Sequence, residues 1–587
     1  MKNAFFLLLL LFSMSIDAKV VPVKKAQEVA DMIWSKSQTR SSSNALHYAW
    51  DNRSIAGSAQ TRTQSDPCFY LFAGENNRGF VIVAAEDQVM PILAYSYEDE
   101  APQSDNLPES LVDWMQTVCS EIEFVRTHHL ENEKASRTWA STRAGQAVVE
   151  LHTAQWDQGS PYNDQCPTDG SQRCLAGCVP VATAIVMKYH NWPQKGSGST
   201  EAYRTKTNQI AVGSRDLNHE YDWDKMLMTY KDNGYTNEQA KAVSTLIADI
   251  GALFQVDYGL EATSGHVKTR LLYEHFGYSA SMNSVDRSRY SDETWIALLK
   301  EELTASRPIL YSGSNSNEGH QFILDGFTDD NYFHVNWGWG GACDGYYTLY
   351  NLVPDERGGY NQNQWACLNV KPDPSSEPNK WIKFLSPGIS CSFATVEPNK
   401  RYTIDQLIFF NDTAVNFSGT ICGALTNSKG DIKEWITSQI QLNLQGALAE
   451  FTGYYMTYKY VPFTIQNSID IGDRIRFFYK SKGSEQWNLI TSLEKDCQWE
   501  VLVADEVSIS ECTSFTFEKK SRIITLETKK GVQVSLFTPQ KEETTAGLKQ
   551  EGTIIEIDTK QLPAGEYTIK LQKGNDSKEL KFSIQPL

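Results

Sequence analysis

The sequence predicts an α+β chain of several domains, mixed helix and strand in its N-terminal part and β-sandwich-like toward its C-terminus. Three observations predict it. At 587 residues the chain is too long for one hydrophobic core. Residues 19–371 interleave helical spacing with short apolar runs, and beyond about residue 380 the chain turns rich in Thr, Val and Ile with strand alternation. No solenoid period runs through it. Its charged and hydrophobic content is that of a folded protein.

Taken in order, Lys2, the apolar run 4–12 and small Ala18 read as a signal peptide, residues 1–18, cut near Ala18. The run falls short of the ~20 residues a membrane span needs. The mature chain is therefore expected to be secreted, extracellular or at the cell surface, with no membrane span and no lipid anchor. A formal charge of −18 without a Lys/Arg block argues against a nucleic-acid partner.

Residues 19–143 read as a small α+β domain. Val29, Met32, Ile33 and Trp34 have helical spacing, 69–73, 79–85 and 92–97 read as strands, and 107–126 as a helix. The Ser/Thr/Asn-rich stretch 37–66 reads as a loop or insertion. The polar stretch 130–145, with Lys134, Arg137 and Arg143, reads as an exposed junction open to cleavage. Residues 144–371 hold most of the Trp, Gly and His. Pro372, Pro374, Ser375, Ser376 and Pro378 form a linker. Residues 381–504 then read as a β-sandwich-like domain, and 505–587 as a C-terminal β domain.

Export permits disulfides. Local spacing suggests Cys68–Cys119, Cys166–Cys174, Cys343–Cys367, Cys391–Cys422 and Cys497–Cys512, although sequence alone does not fix connectivity. Of eleven cysteines, this scheme leaves Cys178 over. It opens the apolar run 178–192, whose Pro180 fits only a first helical turn and which Pro193 ends. A cysteine at a helix N-terminus meets unpaired N–H groups and the positive end of the dipole, which favour the thiolate. A random cysteine is more often buried or bridged; the Pro-started helix shifts the reading to a nucleophile. A zinc site from Cys166, Cys174 and Cys178 is the weaker rival, for no CxxC pair is present.

A thiolate nucleophile needs a proton partner. His190 lies about 18 Å away along the same helix, at about 1.5 Å per residue. His152, His219, His266 and His275 have no distinguishing context. His320 follows the flexible run 312–319 and opens an apolar strand; 332–338 reads as the return strand. If Asp325 pairs with Tyr332, antiparallel register sets His320 beside Asn336 and Trp337. The Asn amide then orients the imidazole, the Trp shields that bond, and His334 is the second choice of base. Gly338-Trp339-Gly340-Gly341 allows close backbone approach or makes a tight turn. Gln158 could donate to a developing oxyanion with the Cys178 N–H, though a polar loop explains it as well.

Together these segments resemble the streptopain family of bacterial cysteine peptidases. The resemblance covers about residues 66–371 and rests on Gln158-Gly159-Ser160-Pro161-Tyr162-Asn163, Gly177-Cys178-Val179, Gly319-His320, Asp325-Gly326 and 334–341. It implies a papain-like fold at 144–371 with Cys178 as nucleophile, His320 as base, Asn336 and Trp337 as orienting pair and Gln158 as oxyanion donor. It also implies no metal and no cofactor, protein or peptide substrates, and 19–143 as an inhibitory prodomain, which the stretch 69–97 with its run 79–86 resembles. Pro180, Cys166 and Cys174 depart from the family pattern, which bears on substrate preference. The end of the chain, 562–587, is similar to C-terminal sorting domains of type IX secretion. Two other classes fit less well. A transglutaminase-like acyltransferase calls for an Asp orienter, and an inactive adhesin for loss of a catalytic residue.

Overall fold

The computed structural model describes residues 20–584 apart from 36–44, 56–65, 141–145, 232–233, 315–318, 350–363, 376, 394–395, 450–451, 471, 504–511, 519–521, 529–531 and 574–575. The expected signal peptide lies outside the described residues. The chain divides into two compact units, residues 1–377 with 447–452, and residues 378–446 with 453–587.

The first unit begins with helix α1 (Val23–Trp34), which buries Ala26, Val29, Ala30 and Ile33 at helical spacing. It packs on β2 (Phe69–Ala73) and β3 (Arg78–Ala84). These strands pair antiparallel, and β3 pairs with β4 (Ile92–Glu100). Asn76 and Asn77 make the turn between them with positive φ of 55° and 58°. The stretch 37–66, expected as loop, contains strand β1 (His47–Asp51), paired with β2. Trp50 anchors it by burial and by donating its indole N–H to Pro102 O at 2.9 Å. Such a short strand among Ser and Asn residues leaves little periodicity to read.

Helix α2 (Glu109–His128) follows, then α3 (Glu133–Ala140). The second is a correction: 133–140 is helical, not an irregular junction. Its Trp139 is buried and donates to Val89 O at 2.9 Å, and Asn132 Oδ1 accepts the Ala135 N–H at the helix start. A two-turn helix held by one tryptophan has too little apolar periodicity to show in sequence. Residues 141–145 lie outside the described residues.

The remaining strands of the unit are β5 (Ala147–Glu150), β6 (Thr168–Asp169), β7 (Gln172–Arg173), β8 (Tyr203–Arg204), β9 (Ala211–Val212) and β10 (Asn283–Asp286). They continue with β11 (Ile309–Ser314), β12 (Gly319–Thr328), β13 (Phe333–Asn336), β14 (Gly345–Tyr347) and β15 (Gln364–Leu368). One sheet runs β1-β2-β3-β4-β14-β13-β12-β11-β15-β10, with β5 paired to β12. The N-terminal domain and the following domain thus share a sheet, joined where Tyr95 faces Tyr346 and Ala94 faces Tyr347.

Two cores flank the sheet. One gathers Leu111, Met115, Val118 and Ile122 of α2 with Tyr311, Phe322, Leu324, Trp337 and Tyr347. The other is built around α4 (Cys178–His190), α5 (Asn237–Phe254) and α6 (Thr269–Phe276), with Leu310 and Ile323 from the sheet. A further helix, α7 (Asp292–Thr304), packs on β11 and β12.

In the second unit, a three-stranded and a six-stranded sheet enclose a core that includes Phe384, Leu407, Phe409, Ile421 and Phe477. Two four-stranded sheets over 512–584 enclose another, with Leu526, Leu536, Ile555 and Ile569. Both are β-sandwich arrangements.

The ten cysteines whose side chains are described are thiols, so the pairings Cys68–Cys119, Cys166–Cys174, Cys343–Cys367 and Cys391–Cys422 are not formed. Cys343 and Cys367 belong to different cores. Cys68 and Cys119 do meet, with Cys68 Sγ 3.9 Å from Cys119 O. The Cys512 side chain lies outside the described residues. Among the described residues no helix is long and apolar enough to cross a membrane.

Candidate active site

Cys178 is the first residue of α4, and Pro180 sits in its first turn. Every residue from Val179 to Met187 is buried, and Asn191 closes the helix in the left-handed conformation. Gly177 precedes the helix at φ 89°, where a Cβ would lie 2.7 Å from the Thr263 side chain. A side chain there would push the cysteine off the helix start.

The chain enters this turn past Gln158, whose carbonyl accepts the Ala176 N–H at 3.0 Å. Gln158 thus lies beside the segment that leads into Cys178. The glycine turn after β13 closes over it, with the Gly340 N–H donated to Trp156 O at 2.9 Å. At Gly341, φ 79°, a Cβ would lie 2.5 Å from the Gln155 side chain. Close approach of the turn to 155–158 therefore requires glycine.

His320 is the second residue of β12, and α4 packs on β11 and β12. The ladder is regular here, with Gly313 opposite His320, Ser312 opposite Gln321 and Tyr311 opposite Phe322. Alternation puts His320 on the face that carries Phe322 and Leu324, whose core α2 closes. Gln321 shares the opposite face with Ile323, which packs in the core of α4. Gln321 is 2% exposed, and neither of its amide atoms has a hydrogen-bond partner among the described residues; nor does Ser312 Oγ opposite it. Cys178 and His320 are on packed elements, and strand alternation assigns His320 to the same side as Phe322 and Leu324.

The hairpin register differs from expectation. Strand β12 extends to Thr328 and the turn is confined to 329–332, with Thr328 N–H donated to Tyr332 O at 2.9 Å. An irregularity between Leu324 and Gly326 then makes Asn336 pair with Ile323 rather than lie beside His320. The side chain of Asn336 is buried and engaged elsewhere. Its Nδ2 donates to Thr153 Oγ1 at 2.9 Å and Ala154 O at 3.0 Å, and its Oδ1 accepts the Gly338 N–H at 3.0 Å. Trp337 packs on Phe322 and Tyr347, at centroid distances of 4.8 and 5.2 Å, and donates its indole N–H to Cys343 O at 3.1 Å.

Sequence reasoning missed the group to which Asn336 is wired. Thr153 Oγ1 donates to Asp325 Oδ2 at 2.5 Å, and Asp325 Oδ1 lies 2.6 Å from His334 Nδ1. Burial works against the His334 cation, but the Asp325 charge overrides it and raises the imidazole to about 9. Burial likewise works against the Asp325 anion, and the His334 charge outweighs it, holding the carboxyl below its ordinary range. Buried Asp344 accepts the Trp337 N–H at 3.0 Å. Asp325 and His334 did stand in the quoted motifs, but only the strand register, which the sequence did not reveal, pairs them; Asp344 carries no motif of its own.

A cysteine at the start of a buried helix packed on a sheet, with an N-terminal domain sharing that sheet, is an arrangement that fits a cysteine peptidase in precursor form. Comparison with known proteins agrees. Residues 156–347 match the peptidase C10 family and residues 18–122 the Spi protease inhibitor family. Streptopain of Streptococcus pyogenes is 32% identical over 326 residues, 50% of this chain and 78% of its own. The thiol protease/hemagglutinin PrtT of Porphyromonas gingivalis is 29% identical over 399 residues, 64% of this chain and 45% of its own. A fragment of Prevotella intermedia prointerpain A aligns at 25% identity and TM-score 0.44, covering 56% of this chain and all of that one. The chain belongs to the peptidase C10 family, the streptopain-like cysteine peptidases. It is a cysteine-type endopeptidase made as a zymogen, with a papain-like domain behind an inhibitory prodomain.

Proposed function

We propose that Cys178 is the nucleophile of this endopeptidase and His320 its general base, with Gln158 donating to the oxyanion and Asn336 and Trp337 fixing the strand that carries the imidazole. The observation that carries this reading is Cys178 opening a buried helix that packs on the His320 strand. The thiolate attacks the scissile carbonyl and an acyl-enzyme forms. The imidazolium gives its proton to the leaving amine, and water then releases the acyl group.

On this reading residues 1–18 direct export, 19–143 are the inhibitory prodomain, 144–371 the peptidase domain, and 381–504 and 505–587 accessory β domains. The enzyme acts outside the cell on proteins or peptides. Kinship with streptopain and PrtT supports this. Intact mass and casein hydrolysis, followed while purified precursor is incubated, test it. Wild type shortens as activity appears, whereas Cys178→Ala keeps its full mass and stays inactive. Casein cleavage by the Ala variant overturns the assignment.

A further inference from the structure

Where β4 of the prodomain meets β14, a cavity of about 540 Å³ is lined from both sides. The prodomain contributes Ser96, Tyr97, Glu98 and Asp99; the peptidase domain contributes Asp325, His334, Asn336 and Asp344, among others. Asp99 accepts the Ser96 hydroxyl at 2.7 Å and the Gln155 amide at 3.4 Å. Asp344 is 1% exposed, and its carboxylate binds the Trp337 N–H.

We propose that the prodomain docks with uptake of a proton by the Asp99–Asp344 pair, so that rising pH loosens the inhibitory seam. The proposal rests on the zymogen reading and adds to it a control. Asp325 and His334 already form a complete ion pair, from β12 and β13, which stays within the peptidase domain when the prodomain leaves. Asp99 then brings a second carboxyl to the cavity that holds Asp344, and the His334 charge, already engaged by Asp325, offsets the two only in part. Other groups around the cavity do not balance them. On β4 flank Glu98 and Glu100; on β5 Glu150 accepts the Tyr346 hydroxyl of β14 at 2.6 Å. His152 lines the cavity, and Lys231 lies beyond the glycine turn, its Cε 3.7 Å from where a Cβ on Gly340 would be. Burial pushes both Asp99 and Asp344 above their ordinary range, Asp344 well above it with the Asp99 charge adding to the push, while the Ser96 hydroxyl at Asp99 and the His334 charge at both work the other way.

The sign follows by linkage. Groups raised in the docked state strengthen docking at low pH, and that gain is lost as pH rises through their docked values. Once the prodomain leaves, Asp344 loses Asp99 and gains water, ionises, and holds the Trp337 N–H as a full anion. Asp344 is thus a positioning residue whose charge the prodomain controls.

The test uses the full-length Cys178→Ala precursor, nicked between α3 and β5 and tagged on the peptidase side. Retention of the nicked prodomain is measured from about pH 5 to about pH 8. The expected result is a dissociation constant rising up to about tenfold per pH unit over part of that range. With Asp99→Asn, which keeps the Ser96 bond, the slope falls toward zero and retention at the upper end exceeds wild type. Asp344→Asn flattens the slope likewise, and serves if Asp99→Asn fails to fold. Wild-type slopes in both variants, or wild-type retention that is flat or improves with pH, overturn the proposal while leaving the zymogen intact. A prodomain retained at no pH overturns the inhibitory reading as well.

Discussion

The two cores of the first unit are finished differently. The core around α4, α5 and α6 is closed almost entirely by the peptidase domain's own residues, and α4 brings Cys178 with it. The core on the other side of the sheet is shared. Leu111, Met115, Val118 and Ile122 of the prodomain helix α2 pack with Phe322, Leu324, Trp337 and Tyr347, and His320 stands on that face. On the proposed assignment the nucleophile sits on a scaffold built from the peptidase domain's own residues, and the base on a strand whose core the prodomain helps to complete. That reading places latency on the histidine side of the site.

The most damaging changes to the comparison are at the chemistry. Cys178→Ala is expected to remove peptidase activity without moving the precursor's melting temperature. His320→Ala should cost the matured enzyme roughly 10²–10⁴-fold in kcat/KM, the value of a general base. Equal losses from His320→Ala and His334→Ala, both folded, would return the base to an open choice.

Next in size is the buried pair beneath the site. His334→Gln leaves Asp325 charged and buried, so the precursor should lose ~3–5 kcal/mol in denaturant unfolding near neutral pH. Its pH dependence has a defined sign. Because His334 is raised to about 9, its contribution is complete below the ordinary histidine value of about 6.5 and disappears as pH rises through about 9. Asp325, held low, contributes above the ordinary carboxyl value of about 3.9 and loses that contribution as pH falls. A His334→Gln precursor as stable as wild type near pH 7 would mean the pair does not carry this load.

Trp114 sharpens the comparison at the shared face. It donates to Thr348 O at 2.9 Å and meets Tyr347 edge-on at 5.0 Å. Trp114→Ala should cost the precursor ~2–3 kcal/mol and speed maturation, with the matured enzyme unchanged because it lacks the residue. Smaller still, Asn336→Ala frees Thr153 Oγ1, Ala154 O and the Gly338 N–H. About 1–3 kcal/mol of stability and part, not all, of the activity should go.

Much of this was legible in the sequence. The run after Cys178 has to be a buried helix because it is apolar on every side and punctuated by proline at each end. The strands at 69–73 and 92–97 and the alternating runs beyond 400 declare themselves by composition. Strand β1 and helix α3 did not, since each is fastened by one tryptophan reaching a distant carbonyl. The hairpin register failed for a physical reason: an irregularity beside Asp325 and a shorter turn cannot be read from hydrophobic alternation, yet together they carry Asn336 to Ile323. The face on which His320 stands depends on what covers the sheet, and the covering helix α2 lies about 200 residues earlier in the chain.

Alkylation of Cys178 tests the central claim most directly. Its rate with iodoacetamide is measured against pH in the full-length precursor and in the matured enzyme, each with and without His320→Ala. The account predicts that His320→Ala reshapes the profile of the matured enzyme, where imidazole and thiol are coupled, and leaves the precursor's profile unchanged. A precursor whose Cys178 profile already depends on His320, to the same degree as the matured enzyme's, would contradict it.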